Sequence, residues 1–91
     1  MLELTSKLLI NNELGLHARA AAKIVSLAGN YKSALYLRRG DQEVDGSSIL
    51  SILTLACPKG SEVWVRAVGE DSEALIEALT RLFDEKFGEP R

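Results

Sequence analysis

The chain has 91 residues, a formal net charge of -2, 46% hydrophobic residues and 26% charged ones. That is one small domain (1–91), able to bury roughly 60% of its unfolded surface and so to hold a modest core without staples. The near-neutral balance, the lack of any lysine or arginine block, and the five aromatic residues (one tryptophan, two tyrosines, two phenylalanines) exclude a nucleic-acid or anionic-membrane surface as the main partner.

Cys57 is the single cysteine and His17 the single histidine. No internal disulfide can form, and a structural zinc site, which takes four protein ligands, is improbable. The opening "MLELTSKLLI" is too short and too polar to be an export signal or a membrane span. With no disulfide to protect, the expectation is a reducing, cytoplasmic setting.

In chain order, residues 2–10 alternate, with Leu2, Leu4, Leu8 and Ile10 falling on one face, which predicts a strand. "NNELG" (11–15) is a loop. From Ala18 to about Ala28, Ala21, Ile24, Val25 and Ala28 recur at helical spacing, and Gly29 and Asn30 close that helix. "SALYLR" (33–38) is a second strand, "RGDQ" (39–42) a hairpin turn, and 42–45 a short third strand. In "DGSS" (45–48) two hydroxyls can cap the apolar run 49–56, and those cap signals favour a short helix over a strand. "CPKGS" (57–61) breaks it. "EVWVRAV" (62–68) sets Val63, Val65 and Ala67 against Trp64, Arg66 and Val68, a fourth strand in which Trp64 packs on the sheet. "GEDSE" (69–73) puts acids at a helix start, where they complement the dipole. Leu75, Leu79 and Leu82 then make an apolar stripe, widened by Ile76 and Phe83, and Gly88 and Pro90 end the chain. The order βαββαβα implies an α+β sandwich with helices on one face of a mostly antiparallel sheet.

The chemistry concentrates in "GLHARAAAKIV" (15–25). Gly15 relieves a tight backbone ahead of His17. The imidazole and the Arg19 guanidinium stand where a loop becomes a helix, beside unpaired N–H groups and a partial positive charge. A histidine titrates near ~6.5, so its neutral ring is available in cells to accept a phosphoryl group, and the helix end and the arginine fork stabilise the anion formed. Lys23, one turn on, reads as a plain surface lysine, the alternative being that it adds positive potential at the site. Cys57 reads as a small semi-buried residue.

Two further features bear on partners. Ser48 reads as the N-cap of the second helix, with Ser47 as the alternative; a phosphate on Ser48 would sit well at a helix start. The run "ILSILTLA" is apolar nearly all round, more than a helix in so small a domain can bury. Ile49, Leu50 and Leu53 are therefore expected to form a docking surface beside His17.

"GLHARAAAKIV", "VDGSSIL", "LACPKGSEVWV" and the βαββαβα order resemble the histidine-containing phosphocarrier (HPr) family, including its nitrogen-branch members. The resemblance spans nearly the whole chain. It implies a four-stranded antiparallel sheet covered on one face by three helices. It also implies a stoichiometric carrier in the phosphoenolpyruvate-dependent phosphotransferase system, with no metal or bound cofactor; a monomer is expected, because a carrier must expose its active face. On that resemblance His17 accepts the phosphoryl group from enzyme I and passes it to an EIIA-type acceptor, and Arg19 screens it. Ser48 matches a second, regulatory serine modified by a dedicated kinase, and the region of Ile49, Leu50 and Leu53 meets donor and acceptors. Two departures stand out: Ala20 occupies the position where the family usually has proline, and Ser47 the position where Gram-positive members carry lysine. The alternative is a regulatory module of the same fold whose phosphorylation state controls partners without sugar transport; "NNELGLHAR" and "ALTRLFDEKF" look closer to the nitrogen-branch type. A small-ligand-binding domain is the third class.

Overall fold

The computed structural model describes residues 2–91. The strands are β1 (Glu3–Leu9), β2 (Ala34–Arg39), β3 (Gln42–Asp45) and β4 (Glu62–Val68). The helices are α1 (Ala18–Ala28), α2 (Ile49–Leu53) and α3 (Ser72–Asp84), followed by a 3-10 turn at Lys86–Gly88. The strands form one sheet in the order β1-β4-β2-β3, with every pairing antiparallel. This is the four-stranded, three-helix α+β sandwich that the sequence implies.

Registration explains which face is covered. Leu8 pairs with Val63, Leu35 with Ala67 and Leu37 with Val65, so these apolar side chains share one face. All six are buried. Onto them pack Ala20, Ala21, Ile24 and Ala28 of α1, Ile52 of α2, and Leu75, Leu79 and Phe83 of α3. On the open face Arg66 pairs with both Glu3 (3.1 Å) and Glu43 (2.8 Å) and stacks over Tyr36 at 4.3 Å. Trp64, also on this face, lies between Lys7 and Arg38 at 5.9 and 5.4 Å, which agrees with its reading as a sheet residue.

Three expectations are corrected in detail. The first strand runs Glu3–Leu9 rather than 2–10, and on this edge of the sheet Leu2, just before it, and Leu4 stay 58% and 37% exposed. The stripe on α3 runs through Phe83, with Leu82 only partly buried, because the helix turns that face toward the sheet. The second helix stops at Leu53 rather than Ala56. Ala56 takes a left-handed φ of 50°, which turns the chain so that Leu55 and Cys57 enter the core. The acids expected at the start of α3 are there, with Asp71 as the N-cap and Glu73 in the first turn, and Asp71 makes no cap bond within the helix. Its carboxylate instead accepts from Lys32 N (2.8 Å), Ser33 N (2.9 Å) and Ser33 Oγ (2.5 Å), tying α3 to the loop between α1 and β2.

These bonds, from the Ser33 side chain first and then the Lys32 backbone, hold the Asp71 carboxyl below the ordinary aspartate value. A carboxyl lowered on folding contributes stability that is complete above its unfolded value and disappears as pH falls through its folded one. Asp71→Asn is therefore expected to be less stable than wild type at neutral pH and to lose less on acidification below about pH 4. Urea titrations at a series of pH values check this; equal acid sensitivity in the two proteins would disprove it.

Candidate functional site

The loop 10–16 delivers His17 to the start of α1. Gly15 has φ +70°, and a Cβ there would lie 2.5 Å from the Cys57 carbonyl oxygen and 2.9 Å from Pro58 Cα. Only glycine allows this approach, and the adjoining Leu16 N–H then donates to the same Cys57 carbonyl at 2.8 Å. Cys57 is buried, its Sγ faces Leu55 O at 3.7 Å, and burial pushes the thiol above its usual range. It packs; its surroundings are not those of an activated thiol.

His17 is the N-cap of α1. Its Nδ1 accepts from the Arg19 N–H at 3.3 Å, so the imidazole fills the role usually taken by a serine or aspartate oxygen. Arg19 is exposed at the second position of the helix. Ala20, fully buried at the third, continues the helix where the family usually carries proline. The backbone N–H groups of Ala18 and Ala20 have no acceptor among the described residues, as expected for a helix start.

The second ring nitrogen faces a residue that the sequence reading missed. His17 Nε2 bonds to Glu89 Oε2; the imidazole is 23% exposed and the carboxylate 8%. Glu89 Oε1 accepts from Asn12 Nδ2 at 2.9 Å, and the same amide nitrogen donates to Gly15 O at 2.8 Å. Burial works to raise the Glu89 carboxyl. The Asn12 bond, the His17 bond and the nearby Arg19 charge outweigh it and hold the group below the ordinary glutamate value. Nothing local in the sequence announces Glu89, which stands 72 residues beyond His17. The buried Asn12 inside "NNELG" was the available signal, since a buried amide needs a partner.

Lys23 is also reassigned. It is half-buried, and its ammonium donates to the Phe87 carbonyl, so it fastens the C-terminal turn rather than decorating the surface. Ser48 caps α2, accepting from Ser51 N at 3.2 Å, while Ser47 bonds to Asp45 instead. Of the expected docking residues, Leu50 is 77% and Ile49 38% exposed. Leu53 is corrected: it is partly buried and packs on the core, because it shares the inner side of the short helix with Ile52. The exposed leucine near the site that the sequence reading passed over is Leu14, 64% exposed. Together with Glu13, Arg19, Glu89, Pro90 and Arg91 it lines a shallow concavity of about 280 Å³. Among the described residues no helix is long and apolar enough to cross a membrane, and no cluster of three potential metal ligands occurs.

An open-faced sandwich whose first helix is capped by an imidazole defines the class of small phosphocarrier domains. Residues 4–85 match the family model of the PTS HPr component phosphorylation site. Phosphocarrier protein HPr of Cupriavidus necator is 42% identical over 80 residues, covering 88% of this chain and 90% of that protein. Phosphocarrier protein NPr of Shewanella violacea is 34% identical over 89 residues, covering 98% of both. The crystal structure of HPr-C-His from Thermoanaerobacter tengcongensis superposes with a TM-score of 0.88 at 37% identity over 100% of both chains. The chain belongs to the HPr family of phosphocarriers of the phosphotransferase system.

The Gly15 geometry has a direct consequence. In Gly15→Ala the added carbon meets backbone, which cannot swing aside, at a left-handed φ. A loss of about 2 kcal/mol or more is expected in urea unfolding. The His17 ring resonances should move in the same variant; unchanged stability and unchanged ring resonances would disprove the tight approach.

Proposed function

We propose that the chain carries a phosphoryl group on His17, accepting it from enzyme I and passing it to an EIIA-type acceptor. The observation that carries this reading is the lone pair of Nδ1, held at the N-terminus of α1 by the Arg19 N–H. That nitrogen is the nucleophile. It stands among helix-start N–H groups whose dipole favours an arriving anion. The protein contributes positioning and charge, with the Arg19 guanidinium available to the phosphoryl oxygens from the exposed first turn. The chain is consumed and regenerated stoichiometrically and is not a turnover enzyme.

Docking falls to the exposed Ile49 and Leu50, with Leu53 partly buried against the core beside them, and Leu14 is a further exposed leucine beside Arg19 and Glu89. One patch that meets donor and acceptors in turn must bind weakly enough to release. Ser48 is half-exposed in front of that patch. A serine kinase acting there would place close to two negative charges at the helix cap.

A second reading is the nitrogen branch, in which the phosphorylated chain controls partners without sugar flux. The similarity to an NPr protein over 98% of both chains favours it. Enzyme I proteins of the two branches separate the readings by their rates of labelling.

Incubation with enzyme I, Mg²⁺ and phosphoenolpyruvate should add one acid-labile phosphoryl group, about 80 Da by intact mass, and none to His17→Ala. Absence of the gain with donors of both branches would reject the carrier reading. Arg19→Ala should be labelled about a hundredfold more slowly, the usual cost of removing one donor to a developing anion. Leu50→Asp should keep its stability within about 0.5 kcal/mol, since the side chain is exposed, while transfer slows. A normal transfer rate in Leu50→Asp would remove α2 from the docking surface.

A further inference from the structure

We propose that Glu89 is a positioning residue for phosphoryl transfer: it keeps the proton on His17 Nε2, so that Nδ1 is the free nucleophile and the phosphohistidine stays in its transferable, cationic form. The proposal rests on the carrier reading above. Residue 89 lies beyond residues 4–85, the part of the chain that matches the family model.

A neutral imidazole has one donor and one acceptor nitrogen. In this site an N–H points at Nδ1 and a carboxylate oxygen at Nε2. Both contacts are satisfied only with the proton on Nε2. The carboxylate cannot readily rotate away, because its other oxygen is held by the buried Asn12 amide, which is itself tied to Gly15 O. With the carboxylate 8% exposed, water does not replace it easily.

The tail that brings Glu89 here is fixed along its length. Lys86, Phe87 and Gly88 have successive left-handed φ values of 56°, 57° and 78°. Two of the three are not glycine, so this reversal is strained unless its surroundings enforce it. The enforcement is visible. Phe87 is 1% exposed with its ring 4.9 Å from that of Phe83, and Lys23 binds its carbonyl. Beyond Glu89, the Arg91 carbonyl accepts from Glu13 N at 3.0 Å.

The transfer then needs no proton movement at the ring. The Nδ1 lone pair forms the bond to phosphorus, and the bond from phosphorus to the donor breaks with its electron pair leaving on the donor. The ring becomes an imidazolium, still protonated at Nε2 and neutralised by Glu89. In the onward step the Nδ1–phosphorus bond breaks, its electron pair returns to Nδ1, and the neutral ring reappears with the same tautomer. Without the carboxylate, Nε2 can release its proton to water, which leaves a neutral phosphoimidazole and a poorer leaving group.

The test uses the full chain and the variants Glu89→Gln and Glu89→Ala, with a chain ending at Gly88 as a third form that keeps Phe87 in the core. Ring ¹⁵N spectra of the unphosphorylated proteins, recorded near pH ~8.5 where free imidazole is neutral, report the tautomer without any donor. Wild type should show the Nε2–H form alone. The Gln variant, which turns an amide N–H toward Nε2, should shift toward Nδ1–H; the Ala variant and the shortened chain should show mixtures. Onward transfer from the three phosphorylated forms should be about tenfold slower than from wild type, the factor carried by one unit of altered protonation. A wild-type ring spectrum in all three would overturn the proposal and leave the carrier reading untouched. Failure of wild type to be labelled at all would overturn the carrier reading instead.

Discussion

Everything distinctive about this molecule depends on one imidazole being used as a helix cap. Serine or aspartate at this position would satisfy the same orphan N–H and contribute about 1 kcal/mol. Histidine does so with a ring nitrogen whose lone pair is thereby aimed at the positive end of α1. On the proposed carrier reading, the atom that makes this stabilising contact is also the reactive one. On that reading an arriving phosphoryl group would displace that weak, 3.3 Å bond and gain first-turn N–H groups in exchange. The ground state thus holds the nucleophile in place without binding it tightly.

The sequence was informative where the physics is local. Helix spacing placed α1 from Ala18 to Ala28, period-two alternation placed β4, and the serine–apolar junction placed the start of α2. His17 and Arg19 stood out because an imidazole and a guanidinium at a glycine-loop helix start have a shared chemistry. What was not legible was non-local. Leu4 alternates properly yet stays exposed, because burial depends on the covering layer and not on the strand's own pattern. Asp71 stands at the start of α3 as its acidic pattern predicts, but its cross-link to Ser33 was not readable. Lys23 looked like a surface charge and is a fastener for Phe87. Glu89 is the clearest case: contact across 72 residues is set by a left-handed reversal at Lys86–Gly88 that no helix or strand period encodes.

The two faces of the sheet divide the work. The open face is laced with surface ion pairs and cation–π contacts around Arg66 and Trp64, each worth little alone in solvent. The helical face carries the core, and its loops carry the chemistry. Leu14, Ile49 and Leu50 remain exposed there although a domain of this size has few apolar side chains to spare from its core.

Ala20 brings these strands together. A proline after the arginine would pre-set φ at the first turn and stiffen the start of the helix. Alanine does not, yet α1 begins at Ala18 directly after its His17 cap, and Ala20 is fully buried against the core. The stiffness comes from outside the helix: the Gly15 backbone lies against Cys57 and Pro58, and the C-terminal strap presses Glu89 onto the imidazole from the other side. Local rigidity, which a proline would have supplied in one residue, is here spread over Asn12, Lys23, Phe87 and Glu89. A ring held from both of its nitrogens needs less help from the backbone beneath it.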